Sequence, residues 1–270
     1  MSTLLFILFS AFSFLKTDNG LIQQNMGFFG NNPGHIRENS LVVMGRLGTL
    51  DTKETVFALS MRHAFFKAMY RSFGSIEVRS DIPDDEHYAS SYPYLFNIEL
   101  GGNTTLNGKT KLGASITLFE QRIMTDNLRG HAFNIGGLYA IKSFKFGGFV
   151  RNLSGKVGYD GFERYPLPKE GGLYGIYQDA LNTASIELLL DDLKFENRVM
   201  YFSYIRRFKK VLSIGTELAL EKDLSFGYTV KYPLNLMLKL NLNKYNIGLS
   251  VMIPKGSMDI KNSLYLGVDL

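Results

Sequence analysis

Apolar and polar residues alternate with period two through the last third of the chain, the spacing a half-buried β-strand requires. Leu212, Ile214, Thr216, Leu218 and Leu220 share one face of a first predicted strand. Leu224, Phe226, Tyr228, Val230 and Tyr232 do so in the next, and Leu234, Leu236, Leu238, Leu240 and Leu242 in the one after. Tyr245, Ile247, Leu249, Val251 and Ile253 follow, and Leu264, Leu266, Val268 and Leu270 close the chain. No charge falls on that face in these five segments. The opposite face is small and polar, with Ser213, Gly215, Glu217, Lys231, Asn235, Lys239 and Asn241 on it.

A soluble sandwich also gives each strand one apolar face, so connectivity has to separate the two architectures. The joins Lys222-Asp223, Tyr232-Pro233 and Asn243-Lys244 are short enough for consecutive hairpins, an up-and-down meander rather than Greek-key crossovers. Further strands are predicted around Leu41–Leu47, Phe57–Met61, Phe66–Ser80, Phe96–Leu100 and Leu112–Leu118. Others fall at His131–Ile141, Phe144–Asn152, Thr183–Leu193 and Asn197–Arg207. Gly74 is read as a bulge, and Asn107-Gly108-Lys109 as a hairpin turn.

The sum is about fourteen strands, and the connections then sort themselves. With strands alternating up and down, the long connections 82–93, 122–130, 154–182 and 254–262 all fall at one end. Lys142-Ser143, Lys194–Glu196, Lys222-Asp223 and Asn243-Lys244 fall at the other. Outer-membrane barrels have this asymmetry, with short periplasmic turns and longer outer loops. The predicted fold is therefore all-β: a membrane-spanning antiparallel up-and-down β-barrel, with both termini at the periplasmic side of a bacterial outer membrane. A charge facing mid-bilayer lipid costs about 2–4 kcal/mol, which accounts for the uncharged face.

Composition narrows the alternatives. The chain has no Cys, which removes disulfides and thiolate chemistry. A net charge of +5 from scattered Lys and Arg gives nucleic-acid binding no support. After the N-terminus no apolar run reaches helical-span length. Thr3–Leu15 reads as the apolar core of a signal peptide, although no Lys or Arg precedes it and Lys16 follows. The expected layout is a signal peptide over 1–15, a plug or connector over 16–39, and the barrel over 40–270.

Phe14-Leu15-Lys16, Met26-Gly27 and Asn32-Pro33-Gly34, followed at once by the first strand, resemble the start of FadL-like barrels. That group includes fatty-acid transporters and the PorV/PorQ proteins of type IX secretion. Phe133-Asn134-Ile135-Gly136-Gly137-Leu138-Tyr139 and Val150-Arg151-Asn152-Leu153 resemble recurrent PorV-like strand phrases. The resemblance implies fourteen strands and a plug or hatch at 20–39, with Asn32, Pro33 and Gly34 as its candidate residues. Gly34 stands where the family favours Ala, and the connection before Asn32 is shorter than usual, so a reduced plug is expected. Locally, Asn-Pro-Gly is a turn: Pro33 fixes φ and Gly34 tolerates positive φ.

No catalytic constellation or metal site emerges. His35, His63, His87 and His131 have no ligand spacing, and no Ser sits in a nucleophile elbow. Asp84-Asp85-Glu86-His87 reads as a solvated loop cluster. The predicted lumen-facing charges are Glu217, Lys231 and Lys239. The 154–182 loop is the expected external recognition element, with Tyr165, Tyr174 and Tyr177 as contact anchors and a short helix over Tyr174–Leu181. No cofactor is implied; the expected partners are outer-membrane lipid, a hydrophobic small-molecule ligand, and proteins of a secretion or surface complex. Three functions fit: passive transport of small or hydrophobic solutes, a non-transporting anchor or adaptor, and a soluble periplasmic lipid-binding β-protein.

The uncharged faces predict that the protein fractionates with outer membranes and migrates on gels in a heat-modifiable way. Recovery from the soluble periplasmic fraction without detergent would contradict the barrel.

Overall fold

In a computed structural model the described residues are 32–35, 39–48, 51–78, 89–123, 126–159, 163–209, 211–223, 227–253 and 261–270. For 76–78, 89–90, 123, 191, 194–197, 221–223, 227–233 and 261 the backbone alone is described. The expected signal peptide and the Asp84–His87 cluster lie outside the described residues, as does most of the plug segment.

One turn of 3-10 helix, Pro33–His35, precedes the strands. These are β1 (Ser40–Leu47), β2 (Lys53–Ser60), β3 (Ala64–Ser72), β4 (Ile76–Val78), β5 (Ala89–Ser91), β6 (Tyr94–Thr105), β7 (Thr110–Ile123), β8 (Asp126–Ile141) and β9 (Phe144–Arg151). They continue with β10 (Lys156–Tyr159), β11 (Tyr165–Pro166), β12 (Glu170–Gln178), β13 (Asn182–Asp191), β14 (Lys194–Phe208), β15 (Leu212–Asp223), β16 (Gly227–Leu242), β17 (Tyr245–Ile253) and β18 (Lys261–Asp269). Every consecutive pair in the wall is antiparallel, and β1 pairs with β18 from Ser40↔Asp269 to Leu47↔Asn262. The result is a closed barrel of 14 strands. The short hairpins β4–β5 and β10–β11 stand outside that count, β10 pairing onto the end of β8.

Local chemistry sets the tight turns. Asn107 Oδ1 accepts from the backbone N–H groups of Lys109 and Thr110 at 3.1 and 2.8 Å, and Gly108 takes φ +70°. The two-residue turns at 142–143, 192–193 and 243–244 each begin on a left-handed residue, Lys142, Asp192 or Asn243.

The strand total agrees with the sequence-based count, but two strands differ in ways that cancel. Tyr232-Pro233 is not a hairpin: β16 runs through it as one strand. Glu217 is opposite Asn235 and Ala219 opposite Tyr232, so Pro233 and Leu234 together face Leu218. Pro233 has no N–H to give a ladder, and a bulge is the one place a wall strand can carry it. Conversely, Glu170–Gln178 is not loop but a wall strand, β12, between β9 and β13. A deletion across 162–178 would therefore open the wall rather than trim a loop.

These two differences move several connections to the opposite end. The 192–193 turn and the join between β15 and β16 lie at the long-loop end, and the join between β14 and β15 at the other. The stretch 122–130 is no long loop, because β7 runs to Ile123 and β8 starts at Asp126. Gly74 is not a bulge; β3 stops at Ser72, and Gly74 takes φ +78° beyond it. The asymmetry itself remains. The long connections 73–93, 152–169 and 254–260 share one end, and no connection at the other exceeds the four residues of 106–109.

The alternation assigns the two faces. Val43, Phe57, Leu100, Ile135, Phe202, Leu238 and Leu266 are exposed on the outer surface, while their strand neighbours are buried or half-buried. Among the described side chains, outward charges occur only near the strand ends, as with Arg122, Arg129 and Arg206. A soluble protein does not expose so continuous an apolar belt; lipid covers it at no cost.

Leu238 is 37% exposed on this belt, whereas the adjacent Lys239 is 8% exposed inside. Leu238→Arg is expected to destabilise the barrel by about 2–4 kcal/mol more than Lys239→Leu when folding into bilayers is titrated with denaturant. Equal tolerance would reverse the face assignment.

Candidate functional site

The inward positions divide into a polar girdle and an apolar band. In the girdle Glu54 binds Arg46 at 3.3 Å and accepts from Arg71 Nε at 2.7 Å, and Arg46 Nε donates to Ser263 at 3.1 Å. Lys67 lies 3.8 Å from Glu99, whose carboxylate accepts from Ser115 at 2.6 Å. Asn134 donates to Ser115 and Thr117 at 3.0 and 3.1 Å. Buried charges are tolerated only when paired in this way. The apolar band joins Val42, Met44, Val56 and Met69 to Ile205 and Met237, so it reaches across to strands several places round the wall. Of the predicted luminal charges, Glu217 is buried inside, where its carboxylate accepts from Asn235 at 3.3 Å, and Lys239 is buried inside as well. The Lys231 side chain lies outside the described residues.

A segment rather than a charge marks the most specific contact. Asn32–His35 lies on the inner wall against β6, β7, β8 and β9. Asn32 Nδ2 donates to the Gly137 and Gly148 carbonyls at 3.0 and 3.3 Å and to the Tyr174 hydroxyl at 2.8 Å. Its Oδ1 accepts from Gly34 N–H at 2.8 Å, which closes the turn on itself. Gly137 and Gly148 are register partners on β8 and β9, so a single amide spans two adjacent wall strands. Tyr174 also hydrogen-bonds His35 Nδ1 at 2.8 Å and stacks on its ring at 5.5 Å.

Glycine makes this approach feasible. A methyl group added at Gly136 would lie 2.0 Å from Asn32 Oδ1, and one at Gly113 would lie 2.4 Å from the Pro33 carbonyl carbon. One at Gly147 would fall 2.2 Å from the Tyr174 ring. The wall is correspondingly bare on its outer side, where Gly137, Gly148 and Gly171 alternate with the inner glycines. A depression of about 670 Å³ lies there, its sides formed by Leu112, Ile135, Val150, Leu173, Leu190 and Leu193. The inner segment and the outer depression therefore share one glycine-thinned sector of wall.

The three tyrosines expected to form an outer recognition face are dispersed instead. Tyr165 is exposed in β11 at the long-loop end. Tyr177 faces outward near the short-turn end, with its ring 5.2 Å from Phe144. Tyr174 is 5% exposed, in the lumen. No helix forms over Tyr174–Leu181, because β12 and the turn to β13 occupy it. The 152–169 connection folds inward: Leu167 packs with Val157, Phe119 and Leu128, and Asn152 Nδ2 donates to the Pro168 carbonyl at 3.0 Å. Sequence reasoning missed Tyr174 as a luminal residue. The available signal was the Tyr174/Ile176 alternation between glycines. Among the described residues no group of three or more His, Asp or Glu side chains could hold a metal ion.

No protein-family model matches the sequence, and no curated protein matches it. Solved structures do. The Ralstonia pickettii toluene transporter TbuX superposes with a TM-score of 0.61 at 10% identity, over 95% of this chain and 100% of that one. The Pseudomonas putida toluene transporter TodX gives 0.57 at 9% identity, over 88% and 90%. At such identities the likeness is one of fold, and the fold is FadL-like.

Gly136→Val is expected to expel the Asn32–His35 segment while the wall still closes. A His35→Cys reporter should then react with a small polar maleimide at least about tenfold faster, as a buried group does once its local structure opens. Unchanged labelling would show that the segment does not depend on this contact.

Proposed function

We propose that the chain is an outer-membrane barrel that passes small hydrophobic solutes, with its short-turn end and both barrel termini on the periplasmic side. The observation that carries this is the apolar depression on the glycine-thinned wall. A volume of about 670 Å³ suits a small apolar molecule, and its lining is almost wholly Leu, Ile, Val and Gly. The inward face, by contrast, carries the ion-paired girdle of Glu54, Arg46, Lys67 and Glu99. The toluene transporters that share the fold point to an aromatic hydrocarbon as the first solute to test.

A second reading, a non-transporting anchor or adaptor in a secretion or surface-assembly complex, draws support from the packed interior. The apolar band reaches across the lumen, and the 152–169 connection folds in at one end. The PorV/PorQ-like branch is proposed on Asn32-Pro33-Gly34, which turns against the wall just ahead of β1. A soluble periplasmic lipid-binding protein is disfavoured by the outward apolar belt, which such a protein would bury.

In proteoliposomes the parent should take up radiolabelled toluene above empty vesicles. Gly137→Leu should fill the depression and lower that uptake about tenfold while heat-modifiable migration is kept, since about 1.4 kcal/mol of lost binding is one decade. Gly137 is the chosen site because an added methyl group would meet the flexible Leu112 side chain at 3.2 Å and the Lys111 carbonyl oxygen only at 3.6 Å, an ordinary contact. Parent uptake no greater than that of empty vesicles would favour the adaptor. Equal uptake by parent and variant would remove the depression from the route.

A further inference from the structure

The two ends of the barrel differ in charge as well as in loop length. At the short-turn end the exposed charged side chains among the described residues are Arg62, Lys109, Lys142, Arg206, Lys209 and Lys244, all cationic. Among the described residues the exposed acids, Asp51, Asp126, Glu163 and Asp192, all sit at the long-loop end, mixed there with Lys53, Arg122, Arg129, Lys156, Arg164 and Lys169. The short-turn end does have Asp179 and Asp269, but neither is fully exposed. Asp179 is turned into its own hairpin, where it accepts from the Asn182 side chain and from the backbone N–H groups of Leu181 and Asn182. Those bonds, the Asn182 side chain first, hold its carboxyl below the usual carboxylate range, so it stays an anion engaged locally.

Each cation on a turn has exposed apolar neighbours. Met61 precedes Arg62; Leu106 opens the turn of Lys109; Ile141 and Phe144 flank Lys142; Phe208 and Val211 flank Lys209; Leu242 and Tyr245 flank Lys244. Apolar and aromatic side chains at the edge of a membrane belt, with a cation one step beyond, place the cation at the depth of the lipid phosphates. A soluble acidic partner would not require the apolar residues beside each charge.

We infer that the short-turn end is a collar that binds anionic phospholipid headgroups of the surrounding leaflet, its ligand chemistry being the lipid phosphate. The inference rests on the barrel spanning a membrane but not on what the barrel carries. Five turns spaced round the barrel each supply a described, exposed cation, so the collar recruits a ring of lipids rather than one bound molecule. Surface cations of this kind act through the leaflet's negative potential and are screened by salt.

The test reconstitutes the full chain in nanodiscs of equal phosphatidylglycerol and phosphatidylcholine and counts retained lipid by native mass spectrometry. Heat-modifiable migration establishes insertion first; a parent that does not insert overturns the barrel and the collar together. The parent should retain phosphatidylglycerol over phosphatidylcholine by about fivefold or more. The combined variant Arg62→Gln, Lys109→Gln, Lys142→Gln, Lys209→Gln and Lys244→Gln should lose that preference. Lys53→Gln with Lys169→Gln, at the opposite end, should keep it. Raising sodium chloride to about 1 M should abolish it in the parent without any substitution. No preference in the parent, or an undiminished one in the five-site variant, would overturn the collar. A parallel arm with lipid A decides the leaflet: capture of lipid A, rather than phosphatidylglycerol, through the same five residues would overturn the assignment to phospholipid.

Discussion

A peptide group inside hydrocarbon has no water to bond with, so a wall strand must find a partner along both edges. The pairing of β1 with β18 is the contact that meets this requirement for the whole sheet, and the rest of the structure follows from it. Once the sheet is closed, each wall strand has one face toward lipid and one toward the lumen. The requirement also explains why so glycine-rich a stretch as Glu170–Gln178 is a strand. Without it β9 and β13 would each face the bilayer with an open edge. In the same way β16 absorbs Pro233 as a bulge, since two shorter strands there would leave the ends of β15 unpaired.

Closure then constrains the interior. Side chains driven inward by the alternation include charges, and these are matched: Glu54 lies between Arg46 and Arg71, and Glu99 between Lys67 and Ser115. Removing one member of such a set leaves a buried charge alone, typically a loss of about 3–5 kcal/mol. The apolar band from Val42 to Met237 and the inward fold of Leu167 take up the space that the ion pairs do not.

One sector of the wall departs from this pattern. On β8, β9 and β12 glycine replaces side chains on both faces, and on β7 on the inner one, so the backbone itself meets Asn32–His35 inside and the apolar depression outside. Asn32 bonds to two wall carbonyls and Tyr174 at once, which ties the position of the N-terminal segment to the part of the wall with least side-chain packing. The exposed cations Arg62, Lys109, Lys142, Lys209 and Lys244 lie beyond this sector, on the short-turn end.

The sequence alone carried the architecture, because β-alternation is a local property and a charge on the outer face at mid-bilayer depth is costly. The leucines at 234–242 and 264–270 are exposed or half-buried on the outside, as their period requires, and the Asn107-Gly108 turn follows from its own side-chain bonds. Where alternation was obscured, only the tertiary structure decided. Gly171, Gly172 and Gly175 hide β12 from any pattern of side chains, and their use becomes visible only when Phe149, Leu193 and the wall neighbours fill the space above them. Tyr232-Pro233 has the local chemistry of a turn; its place inside β16 is set by the partner strand. Asn32, Tyr174 and His35 are separated by up to 142 residues, so no spacing in the sequence could join them. Their meeting depends on closure, which brings the wall round to the segment that precedes it.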